Sequence, residues 1–162
     1  MSATAVTVHR SGAEVPAIRY ETRLRVRYAD TDQMQIVYNG KYLEYFEVGR
    51  TELLRACGMP YTSMEAAGVR LPLVEAHCRY HAPARYDDML VISSEVQDFH
   101  SPRLRIEYRI FKADAHTQPI VTGHTVHAFQ DVASGRPLRP FAPFVALLEG
   151  IIACNTSDNS IR

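Results

Sequence analysis

One stretch constrains this chain more than any other. Gly40 to Cys57 carries a helical pattern, and almost everything after it carries the alternation of β-strands. Leu43, Phe46, Leu53, Leu54 and Cys57 recur on one face of that stretch. Asn39 stands where an N-cap side chain accepts a first-turn amide, and Gly58 stands where a helix stops. Gly49, inside the helix, costs about 1 kcal/mol relative to alanine, which points to close approach against another element. A helix of this length cannot bury its apolar face alone, so a sheet must wrap around it.

The strands are legible by period. Tyr20, Thr22, Leu24, Val26 and Tyr28 face one way over residues 20–28, with charges on the other side. Strands are expected at Leu71–His81, Met89–Asp98, Leu104–Ala113 and Ile120–Asp131. In the third of these, Leu104, Ile106, Tyr108 and Ile110 alternate with Arg105, Glu107 and Arg109. Pro83–Asp88 and Ala133–Gly135 read as turns. Residues 61–67 allow a short second helix, and Pro143–Glu149 a short terminal one. Strand, long helix, then four strands predicts an α+β fold with an antiparallel sheet. One domain is expected over residues 19–150, between an aperiodic N-terminal tail (1–18) and a C-terminal tail (151–162).

Charge excludes several classes of partner. Eighteen basic residues balance eighteen acidic ones, and the formal net charge is zero. No global field draws such a chain to nucleic acid or to anionic lipid, so an anionic ligand needs a local cluster of donors. Cys57, Cys78 and Cys154 are odd in number and widely spaced, which suits reduced thiols rather than a disulfide framework or a zinc site. Residues 1–10 lack the apolar core of a signal peptide, and no apolar run reaches membrane-span length. A cytoplasmic location is the expectation. His77 and His81, four apart on a strand, are separated by about 13 Å, and His124 and His127 point to opposite faces. Neither pair suits one metal ion, and no cofactor is expected. No Gly-x-Ser-x-Gly elbow is present.

The segment between the first strand and the helix carries the chemistry. It contains Asp30 and Asp32, then Tyr38, then Tyr42, Phe46, Glu47 and Arg50 on the helix. A second block reads Leu71-Pro72-Leu73-Val74, followed by Tyr80, Pro83-Ala84-Arg85-Tyr86 and Asp87-Asp88. These two blocks, in this order, resemble the 4-hydroxybenzoyl-CoA thioesterase family over residues 20–148. The resemblance implies the hotdog fold, a five-stranded antiparallel sheet wrapped around one long central helix. It also implies paired protomers, as a homodimer or homotetramer, with acyl-CoA in a groove between them. The family's catalytic carboxylate falls on Asp32.

Elementary chemistry is consistent with that placement. Thioester hydrolysis needs a nucleophile or a base, and donors for the developing oxyanion. Asp32 lies just ahead of a helix, whose first turn presents unpaired N–H groups and a partial positive charge. The amides of Asn39 and Gly40 are the candidate oxyanion donors. Capping a turn is the plain alternative role for Asp32, and turn or strand-end duty is the expected role for Asp30. Glu47 is the alternative carboxylate, because another hotdog branch uses a helix glutamate as its base; with Arg50 it also forms a plausible i,i+3 ion pair.

The chain departs from the family where Gln35 replaces the usual glycine and where Asn39 replaces the usual histidine or tyrosine. Gln35 either reshapes the loop or turns its amide toward the substrate. Ile36, Val37, Tyr38 and Tyr42 are candidates for the acyl pocket, with plain core as their other reading. Arg103, in Phe99–Arg103, and Arg85 are candidates for the CoA phosphates. An acyl-carrier protein in place of CoA fits the sparse charge of that stretch. Two rivals to a hydrolase stand: a non-catalytic acyl-thioester-binding or scaffold protein, and a dehydratase, which needs a histidine where Asn39 stands.

Overall fold

The computed structural model describes residues 5–11 and 15–158. The chain runs β1 (Thr7–Ser11), β2 (Val15–Arg25), a 3-10 turn (Tyr28–Asp30), α1 (Lys41–Ala56) and α2 (Tyr61–Ala66). It continues through β3 (Val69–Arg70), β4 (Leu73–Tyr80), β5 (Met89–Val96), β6 (Arg103–Lys112), β7 (Val121–Ala128), β8 (Gln130–Asp131) and α3 (Ala142–Asp158). Six strands form one antiparallel sheet in the order β1-β2-β5-β6-β7-β4, and β3 pairs with β8 separately. The fold is α+β with an antiparallel sheet, as expected.

The expected count of five strands and one long helix needs correction. The sheet gains β1, which pairs Thr7 with Arg19 through Ser11 with Val15. Much of the stretch read as an N-terminal tail is therefore strand, and Ala17 and Ile18 within it are fully buried. β1 is held by its ladder to β2, and a ladder leaves little mark on side-chain pattern. A second long helix, α3, runs for 17 residues, well beyond the short terminal helix expected and across most of the supposed C-terminal tail. Its Phe144 and Leu148, one turn apart, are buried, and Phe144 packs against Phe129 with ring centroids 6.3 Å apart. The run Ala146 to Ala153 is nearly all apolar, so it shows no one-sided periodicity from which a helix length can be read. Residues 1–4, 12–14 and 159–162 lie outside the described residues.

The central contact is between α1 and the sheet. Tyr42, Tyr45, Phe46, Gly49, Leu53 and Leu54 form its buried face, whereas Leu43, expected inside, is 42% exposed. Phe46 stacks on Tyr108 of β6, with centroids 4.3 Å apart and planes 7° from parallel. Gly123 of β7 makes room for that stack, since a Cβ there would sit 2.8 Å from the Phe46 ring. Gly49 lets the helix backbone approach β5; a Cβ there would lie 2.7 Å from Ile92 Cγ2 and closer still to Ser94 Oγ. The helix ends in a Schellman motif: Met59 N–H donates to Leu54 O, Gly58 N–H donates to Arg55 O, and Gly58 has φ +90°. Among the described residues, no helix is long and apolar enough to cross a membrane.

The sheet is unequal at its ends. β5 and β6 are paired on both sides, whereas β4 pairs only with β7. Nearly every residue of β4 is exposed, including Leu73 at 56%, Val74 at 48% and Tyr80 at 49%. The packing at Gly49 yields a test. In a free helix Gly→Ala stabilises by about 1 kcal/mol, but here the methyl overpacks the seam with β5. G49A is expected to lower unfolding stability by about 1–3 kcal/mol, read from the urea midpoint at unchanged slope.

Candidate active site

A buried carboxylate organises the approach to α1. Asp30 is 0% exposed and sits at the end of the 3-10 turn. Its carboxylate accepts the Arg27 amide at 3.1 Å, Arg27 Nε at 3.1 Å, Arg27 Nη2 at 2.9 Å and the Tyr45 hydroxyl at 3.0 Å. Burial alone would raise this carboxyl; the Arg27 and Tyr45 hydrogen bonds outweigh it and hold the pKa below the usual carboxylate range. Tyr45 belongs to the buried face of α1, so Asp30 ties the end of β2 to the helix. Its backbone oxygen also accepts the Tyr38 N–H at 2.9 Å.

Between these anchors the chain makes a tight loop. Thr31 bridges Val37, Asp32 N–H donates to Ile36 O at 3.0 Å, and Gln35 N–H donates to Asp32 O at 2.9 Å. Asp32 Oδ1 accepts the Met34 amide at 2.8 Å, so this carboxylate does cap its own turn. Gln35 has φ +61°, the left-handed conformation that favours glycine. The loop thus keeps the backbone geometry of a glycine position although a side chain stands there, and that side chain is exposed. Val37, which is buried, closes the loop by donating to Ala84 O at 2.9 Å.

A cleft of about 350 Å³ opens between this loop and residues 80–83. Of the expected site residues, Asp32, Ile36, Val37, Asn39 and Tyr42 line it. Met34, Tyr80 and His81 line it too, and none of the three is among the expected site residues. Tyr80 packs edge-on against Tyr42 with centroids 5.6 Å apart, and its hydroxyl donates to Asn39 O at 3.0 Å. Burial pushes the Tyr42 phenol up to about 12, so it stays protonated.

The start of α1 differs from expectation. Gly40, not Asn39, is the N-cap, and no side chain caps the helix. The Asn39 and Gly40 amides find no acceptor among the described residues. Tyr38 is 53% exposed, and its ring lies over Gly40, where a Cβ would be 2.9 Å from Tyr38 Cε1.

Three other expected residues lie apart from the cleft. Arg85 is exposed just beyond the Pro83 wall, with its amide donating to Asp88 at 2.8 Å, and Arg103 is exposed at the start of β6. Glu47 lines a second cavity of about 190 Å³, with Arg50 and His127. The expected Glu47–Arg50 ion pair does not form among the described residues. Arg50 Nη1 instead sits 2.8 and 2.9 Å from the two ring nitrogens of His127. His127 Nδ1 also lies 3.2 Å from Leu71 O, and Nε2 lies 2.9 Å from Thr125 Oγ1. Burial, then the Arg50 charge, presses the imidazole down to about 4, so it is neutral at ordinary pH. Among the described residues, no group of three or more His, Cys, Asp or Glu side chains is placed to hold a metal ion.

Comparison with known proteins gives this arrangement a context. The profile of the thioesterase-like superfamily matches residues 26–147. An Escherichia coli O157:H7 protein named acyl-CoA thioester hydrolase YbgC is 35% identical over 91 residues, 56% of this chain and 68% of that protein. Bacillus subtilis (strain 168) YneP is 39% identical over 88 residues, 54% of this chain, and the match spans 64% of YneP's own length. Among solved structures, Thermus thermophilus TT1821 superposes with a TM-score of 0.71 at 34% identity, covering 78% of this chain and 95% of that one. A DHNA-CoA thioesterase from Staphylococcus aureus superposes with a TM-score of 0.76 at 24% identity, covering 86% and 95%, which speaks to the fold.

The Asp30 network carries a prediction with a definite sign. Because the folded-state pKa is lowered, this carboxylate contributes stability that is present above its unfolded pKa and lost as pH falls through the folded value. D30N is expected to be less stable at pH 7 by about 2–4 kcal/mol and to lose less than wild type between neutral pH and pH 3. Urea midpoints measured across that range check both statements.

Proposed function

Because the chain belongs to the thioesterase-like superfamily, we propose that it hydrolyses acyl-CoA thioesters at the cleft lined by Asp32. One observation carries the reading. The Asp32 carboxylate and Asn39, the residue that leads into α1, line the same cleft, and the Asn39 and Gly40 amides, just ahead of the helix, have no acceptor among the described residues. Relatives named for acyl-CoA thioester hydrolysis support reading this chain as an enzyme of that class. The closer placement, beside the 4-hydroxybenzoyl-CoA thioesterases, belongs to the same proposal.

The chemistry follows from these groups. A thioester carbonyl directed at the Asn39 and Gly40 amides gains charge stabilisation as its oxygen becomes anionic. In one route Asp32 takes a proton from water, the water oxygen bonds to the carbonyl carbon, and the C–S bond breaks. The sulfur then leaves as the thiol, carrying that proton. In the other route the Asp32 oxygen bonds to the carbonyl carbon and expels the thiolate, and water opens the resulting anhydride. Both yield the same acid and thiol. The left-handed Gln35 supports the reading, since it preserves the loop geometry that the family's glycine permits. Ile36, Val37 and Tyr42 supply the apolar wall for the acyl group, and Tyr38 flanks Gly40. Arg85, just outside the cleft, is the better placed of the two arginines for CoA phosphates, ahead of Arg103. Glu47 remains the alternative carboxylate, and its separate cavity counts against it. The mechanism calls on no metal or organic cofactor.

Thiol release from a panel of acyl-CoAs, run beside one acyl-carrier-protein substrate, tests the proposal. D32N is expected to lower turnover by at least about 10²-fold with unchanged thermal unfolding. Retained turnover would move the carboxylate role to Glu47. Background rates throughout the panel would leave a non-catalytic binding or scaffold protein. The unpaired, exposed β4 edge supports pairing of two copies, as a homodimer or a larger homo-oligomer. Light scattering is expected to give at least twice the mass of one chain.

A further inference from the structure

We propose that Tyr80 is a positioning residue that sets the direction of the Gly40 amide; this rests on the reading of that amide as an oxyanion donor. The Tyr80 hydroxyl donates to Asn39 O at 3.0 Å. That oxygen and the Gly40 N–H belong to one peptide group, and no peptide bond in the described chain is cis. In a planar trans peptide the C=O and N–H point in opposite directions. A donor that fixes the carbonyl therefore fixes the N–H, which points away from the Tyr80 hydroxyl.

This peptide has few other restraints. The N-cap has no side-chain hydrogen bond, and among the described residues Asn39 O otherwise accepts only the Tyr42 N–H, at a long 3.4 Å. Without Tyr80, a cap residue that is glycine leaves the peptide plane free to rotate. Tyr80 is itself held. Its ring packs edge-on against Tyr42, which is only 3% exposed, and the backbone carrying it pairs with Val121. Burial and the neighbouring Cys78 thiol push the Tyr80 phenol up to about 12, so it keeps its proton through the neutral range. Donation to the carbonyl also polarises the peptide and strengthens the N–H as a donor to an anion.

The sequence supplies a clean probe. Asn39–Gly40 is the only Asn-Gly pair in the chain. Carbonyl-13C asparagine with 15N glycine therefore gives one correlated amide signal from this peptide. In Y80F that signal is expected to move by much more than a linewidth, while the Thr122–Gly123 amide, on the strand paired with β4, stays in place. In the same variant kcat is expected to fall about tenfold, with KM within about twofold and thermal unfolding unchanged. An unmoved Gly40 signal overturns the inference. So does joint movement of Gly40 and Gly123, which would show that Tyr80 only steadies the edge strand. If wild type turns over no thioester, the hydrolase reading fails, and the Gly40 signal still decides this one.

Discussion

The carboxylate of Asp30 is the contact on which the rest of the site depends. Fully buried, it gathers the amide and guanidinium of Arg27 and the hydroxyl of Tyr45, and so joins the end of β2 to the buried face of α1. Everything between those points, the loop of Asp32 and the approach to Gly40, is suspended from that junction. A charge in such a place costs several kcal/mol in desolvation unless it is fully paired. Here it is paired from three directions, so the junction is stiff rather than merely attractive.

That junction also explains the division of labour between the two acids of the Asp-x-Asp pair. Asp30 has spent its hydrogen-bonding capacity on structure. Asp32, two residues on, gives one oxygen to the Met34 amide and lies half-buried at a cleft. Spacing alone does not show this difference; burial and partners do.

Much of this was readable from the residues, and the failures have physical causes. The helix from Lys41 to Ala56 was visible because its apolar residues repeat and because Gly58 stops it. The close approach at Gly49 was visible because a glycine in mid-helix needs a reason. β6 was visible because Leu104, Ile106, Tyr108 and Ile110 alternate. β1 was not, since backbone pairing holds it, and α3 was visible only over Pro143–Glu149, since the nearly all apolar run that continues it has no face. At the site, Asp32, Ile36, Val37, Asn39 and Tyr42 do share a cleft. Tyr80, noted only as part of the second sequence block, was not expected at the site because its contribution is one hydroxyl contact to a carbonyl 41 positions away, which no local spacing encodes. The Arg50–His127 contact escaped for the same reason: the i,i+3 rule pointed to Glu47, and only the folded sheet brings the imidazole closer.

The placement of β4 gives the cleft unequal walls. The loop side is pinned by Asp30 and backed by α1, whereas the Tyr80 side hangs from a strand bonded along one margin only. Local opening in proteins starts where backbone bonds face solvent, which here is the free margin of β4. A bound molecule would meet a fixed template on one flank and a yielding one on the other.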